Sequence, residues 1–170
     1  MKKIILLSIL VSIFSCSLQT DDRGYSVKVG DKAPKIDLEL LDGRKLTNEN
    51  LKGKVVVIQF TASWCGVCIK EMPHLEKEVW QRFKNDDFIL VGVDLKEELN
   101  VVEEFIKSTN VTYPFTIDSD GSFFESFTIA GAGVTRNIVI DKEGKISFLT
   151  RLFNENEFQQ MIKKIEILLK

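Results

Sequence analysis

The sequence predicts a single α/β domain whose mixed β-sheet carries helices on both faces. Two uninterrupted apolar runs, "KVVVIQF" at 54–60 and "FILVGVD" at 88–94, are typical of central strands that are covered on both sides. Apolar residues at helical spacing separate these runs, and the carboxyl half ends in a hairpin pattern followed by an amphipathic helix. A parallel βαβ half followed by an antiparallel ββα half therefore builds one mixed sheet within 170 residues.

A hairpin is predicted ahead of this sheet, because "IDLELLDGRKL" at 36–46 alternates in polarity around the turn dipeptide Asp42-Gly43. A helix from about Gly66 to Lys84 follows the first buried strand. Pro73 removes one backbone hydrogen bond and should kink that helix. Steps of four, three, four and four place five apolar residues along one helix face: Cys68, Met72, Leu75, Val79 and Phe83.

The second half of the chain continues the pattern. A right-handed crossover would make the two buried strands parallel, and the next helix has an apolar face of Val101, Val102, Phe105 and Ile106. "YPFTID" predicts a short extended piece, "SFFESF" a helical turn or two, and "NIVIDKEGKISFLT" a hairpin that turns at Glu143-Gly144. The apolar residues of the last helix are Phe158, Met161, Ile162, Ile165, Leu168 and Leu169.

The amino end predicts export. Residues 1–15, "MKKIILLSILVSIFS", have two lysines followed by an apolar and hydroxylic run, as in a secretory signal. The eleven residues from Ile4 to Phe14 are too few for a membrane-spanning helix, which needs roughly 20. Cys16 follows in a context that resembles the bacterial lipobox, so we expect a diacylglycerol on its sulfur; a plain cleaved signal is the alternative. Residues 16–26 would then form a lipid-anchored linker to a domain at 27–170.

Composition limits the other functions. The 23 basic and 25 acidic side chains leave no basic field for a phosphate backbone, so no nucleic-acid partner is expected. The three cysteines are too few for a disulfide scaffold, and they divide into one for the lipid and two for a pair.

That pair lies in "ASWCGVCIKEMP" at 62–73. Cys65 begins the predicted helix, where unpaired N–H groups and the helix dipole favour a thiolate. Cys68, one turn later, belongs to the buried stripe, so we expect Cys65 to exchange with a partner and Cys68 to resolve the mixed disulfide. Glu71 can approach Cys68 from the edge of that stripe and relay a proton with a raised pKa. Alternatively, Glu71 is an exposed helical residue that pairs with Lys70 or Lys77.

The segment "KVVVIQFTASWCGVCIKEMP", with "VGDKAPKIDLELLDG" before it and "VIDKEGKI" after it, resembles the TlpA-like branch of the thioredoxin superfamily. These proteins are anchored, extracytoplasmic thiol-disulfide reductases, and the similarity covers about residues 27–170. The resemblance implies a thioredoxin fold with an amino-terminal β-hairpin extension and a redox-active Cys65–Cys68 disulfide. It also implies that Glu71 is the active-site acid and that Trp64 is the aromatic beside the nucleophile, where simple packing is the alternative.

One position departs from this family. Thr135, in "AGAGVTRNIVID", stands where the family usually has a cis proline. Because a cis bond before a non-proline residue costs about 2.5 to 4 kcal/mol, we predict a trans Val134–Thr135 bond. The corresponding loop lies against the cysteines and receives the substrate chain in the family, so Trp64, Val134 and Thr135 are the candidate substrate-binding residues. Arg136 is expected to be exposed and idle, although it could hold an acid group of a partner or favour the Cys65 thiolate.

The sequence leaves three other functions to consider, and each fits its residues less well. A copper or other metal carrier would recruit Cys65, Cys68 and the single histidine, His74, which should point away from both sulfurs. A thiol peroxidase would use Thr135 and Arg136, but Ala62 stands where its hydroxyl residue belongs. A purely structural disulfide would close too short a loop to stabilise much.

The expected function is reduction of disulfides in exported client proteins by a lipoprotein of the bacterial cell envelope that faces the periplasm. No cofactor and no metal are expected. Because the compartment is oxidising, a membrane electron donor is implied as a second partner.

Overall fold

The computed structural model describes residues 23–170, so the predicted signal segment, Cys16 and the start of the linker lie outside the described residues. A hairpin of β1 (Asp37–Glu39) and β2 (Lys45–Thr47) comes first. Gly43, in its turn, has a positive φ of 83°, which suits a residue without a Cβ. The remaining strands are β3 (Val55–Thr61), β4 (Phe88–Leu95), β5 (Phe115–Asp118), β6 (Arg136–Ile140) and β7 (Ile146–Leu149).

These five strands form one mixed sheet in the order β5-β4-β3-β6-β7. The β3–β4 and β4–β5 pairs are parallel, whereas β3–β6 and β6–β7 are antiparallel. All seven residues of β3 are buried, as expected for a strand with neighbours on both sides and cover on both faces. The predicted mixed sheet and the hairpin extension are therefore confirmed.

The helices are α1 (Gly66–His74), α2 (Gln81–Phe83), α3 (Leu99–Thr109), α4 (Ser122–Glu125) and α5 (Glu155–Leu169). One sheet face packs α1, α3 and α5 around residues such as Met72, Val102 and Phe158. The other face is covered by α4, the hairpin and the amino-terminal segment, through Phe124, Leu38 and Tyr25. Val101 was wrongly assigned to the buried face of α3, since it is 37% exposed while Val102 and Phe105 fill that face.

The helix predicted over 66–84 is interrupted after Pro73. A π-helical segment (Leu75–Trp80) separates α1 from α2, and the whole path keeps the predicted apolar stripe buried. Pro73 has no N–H to donate to the preceding turn, which disturbs the regular hydrogen-bond ladder of the helix at this point. The interruption begins only at Leu75, so the start of α1, with Cys65 at its N-cap and Cys68 in its first turn, remains regular.

The described end of the predicted linker packs on the domain. Tyr25 is buried, its hydroxyl donates to the Thr150 carbonyl, and Arg23 forms an ion pair of 2.7 Å with Glu157. The folded body therefore begins no later than Arg23. Between residues 23 and 170, no helix combines the length and the apolar character that crossing a membrane requires.

Candidate active site

The two cysteines occupy the first turn of α1, at the carboxyl end of the central strand β3. Cys65 is the N-cap residue of α1, with an extended backbone, and its sulfur accepts a hydrogen bond of 3.2 Å from the Cys68 N–H. A disulfide joins the two residues, whose Cα atoms are 5.3 Å apart. The N-cap position supplies unpaired N–H groups and the positive end of the helix dipole to the Cys65 sulfur.

The two sulfurs differ in access. Cys68 is fully buried in the core, whereas Cys65 is partly exposed. Trp64, directly before Cys65, leaves 65% of its surface exposed. An attacking thiolate that arrives from solvent therefore meets Cys65 first, beside a large aromatic surface.

Thr135 touches both sulfurs. Its Oγ1 lies 3.0 Å from the Cys65 Sγ and 3.1 Å from the Cys68 Sγ. Because disulfide sulfurs carry no hydrogen, the hydroxyl is the donor in this state. The Val134–Thr135 bond is trans, as predicted, since residues 23–170 contain no cis peptide bond.

The backbone around Thr135 is held by the sheet and by the loop after β7. Thr135 has a φ of 63°, an unfavourable conformation for a β-branched residue. Its N–H donates to the Phe60 carbonyl at 3.0 Å, and its carbonyl accepts from the Leu152 N–H at 2.9 Å. These bonds fix the strained residue with its hydroxyl aimed at the disulfide.

The three candidate substrate-binding residues are thus placed differently. Trp64 is exposed beside Cys65, while Val134 and Thr135 are buried. The Val134 carbonyl accepts a hydrogen bond of 3.0 Å from the Arg151 guanidinium.

Glu71 is buried inside the domain, which rules out the alternative of an exposed helical glutamate. Its carboxylate accepts from the Asn137 amide at 2.7 Å and from the Gln59 amide at 3.5 Å. Burial raises the pKa of Glu71 to about 7, although these two donors partly offset the increase. A carboxyl with this pKa can both take up and release a proton near neutral pH.

The hydrogen-bond partners of Glu71 were not predicted from the sequence. Gln59 and Asn137 lie on neighbouring strands, β3 and β6, where they pair in register, and the Tyr113 hydroxyl donates to the Gln59 oxygen at 2.8 Å. The available signal was the presence of single amide side chains within the apolar runs "VVVIQF" and "NIVI". A buried amide needs hydrogen-bond partners, so such a residue indicates an internal polar network.

The expectation for Arg136 was wrong, because its side chain is 1% exposed. It lies on the sheet face covered by the amino-terminal segment, where its guanidinium stacks 4.5 Å from the centre of the Tyr25 ring. Its Nε also donates to the Gly133 carbonyl at 2.8 Å. Arg136 therefore supports the loop that carries Thr135.

His74, the third residue of the metal-carrier hypothesis, contacts Glu78 at 2.8 Å and packs on the Phe153 ring. Within the described part of the chain, no three His, Cys, Asp or Glu side chains are grouped so that they could hold a metal ion.

A thioredoxin-type sheet with a Cys-x-x-Cys pair at the start of the first long helix defines a class of thiol-disulfide exchange proteins. Residues 28–165 match the Redoxin family, and the chain belongs to that family. The thiol-disulfide oxidoreductase ResA of Bacillus subtilis (strain 168) is 31% identical over 121 residues, 71% of this chain and 66% of the relative. ResA of Bacillus thuringiensis subsp. konkukian (strain 97-27) is 27% identical over 169 residues, 96% of this chain and 94% of the relative.

Solved structures agree with this assignment. The solution structure of a candidate protein disulfide isomerase from Bacteroides thetaiotaomicron is 50% identical, with a TM-score of 0.82, and covers 86% of this chain and 92% of its own. A thiol:disulfide interchange protein of the DsbE type from Chlorobium tepidum, 24% identical, shares the fold at a TM-score of 0.75 over 85% of this chain and 100% of its own. The protein is a thiol-disulfide oxidoreductase with a thioredoxin fold, and its Cys65–Cys68 pair is at disulfide distance.

Proposed function

We propose that the protein reduces disulfides of exported client proteins and that Cys65 is the attacking residue. The observation that carries this proposal is the difference in access between a partly exposed sulfur at a helix N-cap and a fully buried sulfur one turn later. The N-cap environment favours the Cys65 thiolate, and thiolates are the nucleophiles in disulfide exchange.

The reaction proceeds by two displacements. The Cys65 thiolate attacks one sulfur of the client disulfide, forms a mixed disulfide and releases the other client sulfur as a thiolate. The Cys68 thiolate then attacks the Cys65 sulfur, releases the second client thiolate and closes the Cys65–Cys68 disulfide. The client gains two electrons and the enzyme loses two, which a dithiol donor at the membrane restores by the same exchange.

Glu71 and Thr135 assist this exchange in our proposal. Cys68 must lose its proton before it attacks, and Glu71, three residues further along α1 with a pKa of about 7, is suited to accept it. The Thr135 hydroxyl, within 3.1 Å of either sulfur, can donate a hydrogen bond to whichever sulfur carries the negative charge. Trp64 offers the exposed apolar surface against which a client segment can pack.

Trapping with Cys68→Ser tests the proposal. This variant can form the mixed disulfide through Cys65 but cannot resolve it, so clients should remain attached and be released by a strong reductant. The matched control, Cys65→Ser with Cys68 intact, should trap almost nothing, because its remaining sulfur is buried. Equal trapping by both variants would contradict the assigned roles.

We further propose that the domain works in the bacterial cell envelope, facing the periplasm, and is held to the membrane through a lipid on Cys16. The signal-like segment at 1–15 and the polar stretch at 17–25 support this location. Metabolic labelling with radioactive palmitate should mark the intact protein and leave Cys16→Ala unmarked. A labelled Cys16→Ala protein would disprove anchoring at this residue.

A further inference from the structure

A second acidic network lies next to the cysteine loop and is not used by the exchange reaction. The Glu97 carboxylate accepts from both donors of Ser63: the backbone N–H and the hydroxyl each lie 2.6 Å from one of its oxygens. Ser63 precedes Trp64 and Cys65 in the connection between β3 and α1. Glu97 therefore holds the segment that presents Trp64.

Asp94 is the second carboxyl group of this network. It lies near the end of β4, in register with Thr61 of β3, and is 0% exposed. Side chains alternate along β4, so Asp94 shares the sheet face of Leu90, on which α1 and α3 pack. Neither of its carboxyl oxygens accepts a hydrogen bond from a donor among residues 23–170. An ionised carboxylate in this position would be very costly, whereas a protonated carboxyl can donate a hydrogen bond.

Within residues 23–170, Glu97 is the charged group that acts on Asp94. Its neighbours in register are Thr61 on β3 and Ile117 on β5, and α1 contributes Met72 against Thr61. Glu97 lies on the loop after β4, and the neighbouring Lys96 has its Nζ 3.8 Å from the Glu125 carboxylate. Burial and then the negative charge of Glu97 raise the pKa of Asp94 to about 8.

We propose that Asp94 remains protonated at neutral pH and that its O–H donates a hydrogen bond to the Glu97 carboxylate, so that the pair positions Ser63 and Trp64 ahead of Cys65. The proton that Asp94 retains keeps the two adjacent carboxyl groups from repelling each other and leaves the Glu97 oxygens fixed on Ser63. When Asp94 ionises above about pH 8, repulsion pushes Glu97 away and the Ser63 contacts loosen. Asp94 and Glu97 are thus positioning residues that act through Ser63.

The test follows the Ser63 amide by ¹H–¹⁵N NMR between pH 5.5 and 9.5, in the oxidised protein without a client. The disulfide removes both thiol titrations, and Glu71→Gln identifies any contribution from the other raised carboxyl. The wild-type amide should shift with an inflection near pH 8. Asp94→Asn, which keeps a donor facing Glu97 but cannot ionise, should abolish that inflection.

Glu97→Gln provides a second variant in case Asp94→Asn fails to fold. It keeps an acceptor for Ser63 but removes the neighbouring charge, so the inflection should move to lower pH. An unchanged inflection in either variant, or a Ser63 amide that does not titrate in the wild type, would overturn the proposal.

A kinetic measurement connects this network to the proposed function and depends on it. Glu97→Ala should reduce kcat/KM for a protein disulfide about fivefold to tenfold, roughly the effect of one ordinary hydrogen bond, but spare a small aromatic disulfide that needs no Trp64 surface. Equal losses for both substrates would overturn the positioning role. The NMR measurement uses no substrate, so its outcome is independent of the direction of exchange.

Discussion

Replacing Glu71 with Gln should change how the stability of the domain depends on pH. The pKa of Glu71 rises from an ordinary 4.5 to about 7, first because of burial. Between these values the native state binds more protons than the unfolded chain, so the wild type loses stability as pH rises through this window. The difference of about 2.5 units corresponds to about 3 kcal/mol at 1.36 kcal/mol per unit. Gln cannot ionise, so the variant should lack this loss.

The free energy of unfolding is best measured by urea titration of the oxidised proteins at half-unit steps from pH 4.5 to 8.5. Gln also places an amide against the Gln59 and Asn137 donors, which adds a penalty that does not vary with pH. The informative quantity is therefore the free energy of unfolding of the variant minus that of the wild type. This difference should rise by about 3 kcal/mol between pH 4.5 and pH 8.5, in favour of the variant. Glu104→Gln on α3 is the matched control for loss of an exposed carboxylate. Parallel wild-type and Glu71→Gln curves would refute a raised pKa at this site and, with it, the proposed proton acceptor.

Two further substitutions test contacts that the fold creates. Thr135→Val keeps the β-branched shape but removes the hydroxyl that lies 3.0 Å from the Cys65 sulfur. Alkylation of reduced Cys65 at pH 7 should therefore slow by about threefold to tenfold, and Thr135→Ser should restore the rate. A wild-type rate in Thr135→Val would remove the hydroxyl from the mechanism. Gly92→Ala places a Cβ 2.5 Å from the Phe115 ring and should lower the free energy of unfolding in urea by about 1 to 3 kcal/mol. The control Gly66→Ala, whose Cβ meets open space, should not destabilise the domain. Equal stability of Gly92→Ala and wild type would show that the ring moves freely.

Much of the fold was predictable because its signals are local. The stripe of Cys68, Met72, Leu75, Val79 and Phe83 is buried as the helical spacing required, even though Pro73 converts the middle of the helix into a π-helical segment. The hairpin at Asp42-Gly43 and the two buried strands also formed where turn residues and apolar runs indicated them. The interruption itself was predictable only as a kink, because the path after a proline depends on what the next turns pack against.

The polar parts of the site were less predictable. Arg136 is charged and follows a glycine-rich loop, so local sequence favoured an exposed position; packing against Tyr25, more than 100 residues earlier, buried it instead. Asp94 lies one residue before the end of a buried strand and would ordinarily face a ligand or solvent, but it is fully buried on the sheet face that packs against α1 and α3. In both cases the deciding contacts come from distant segments that a sequence window does not contain.

The sequence by itself determined the reactive pair and its division into an outer and an inner sulfur, because both depend on three-residue spacing at the start of one helix. Only the tertiary structure decided which groups surround that pair. Thr135 contacts the Cys65 sulfur from 70 positions away in the chain, and Asn137 contacts Glu71 from 66 positions away. Both contacts depend on the pairing of β3 with β6, which brings the start of β6 next to α1. Hydrogen-bond partners and desolvation, which set the protonation of buried groups, are properties of packed neighbours in space, and chain order does not specify them.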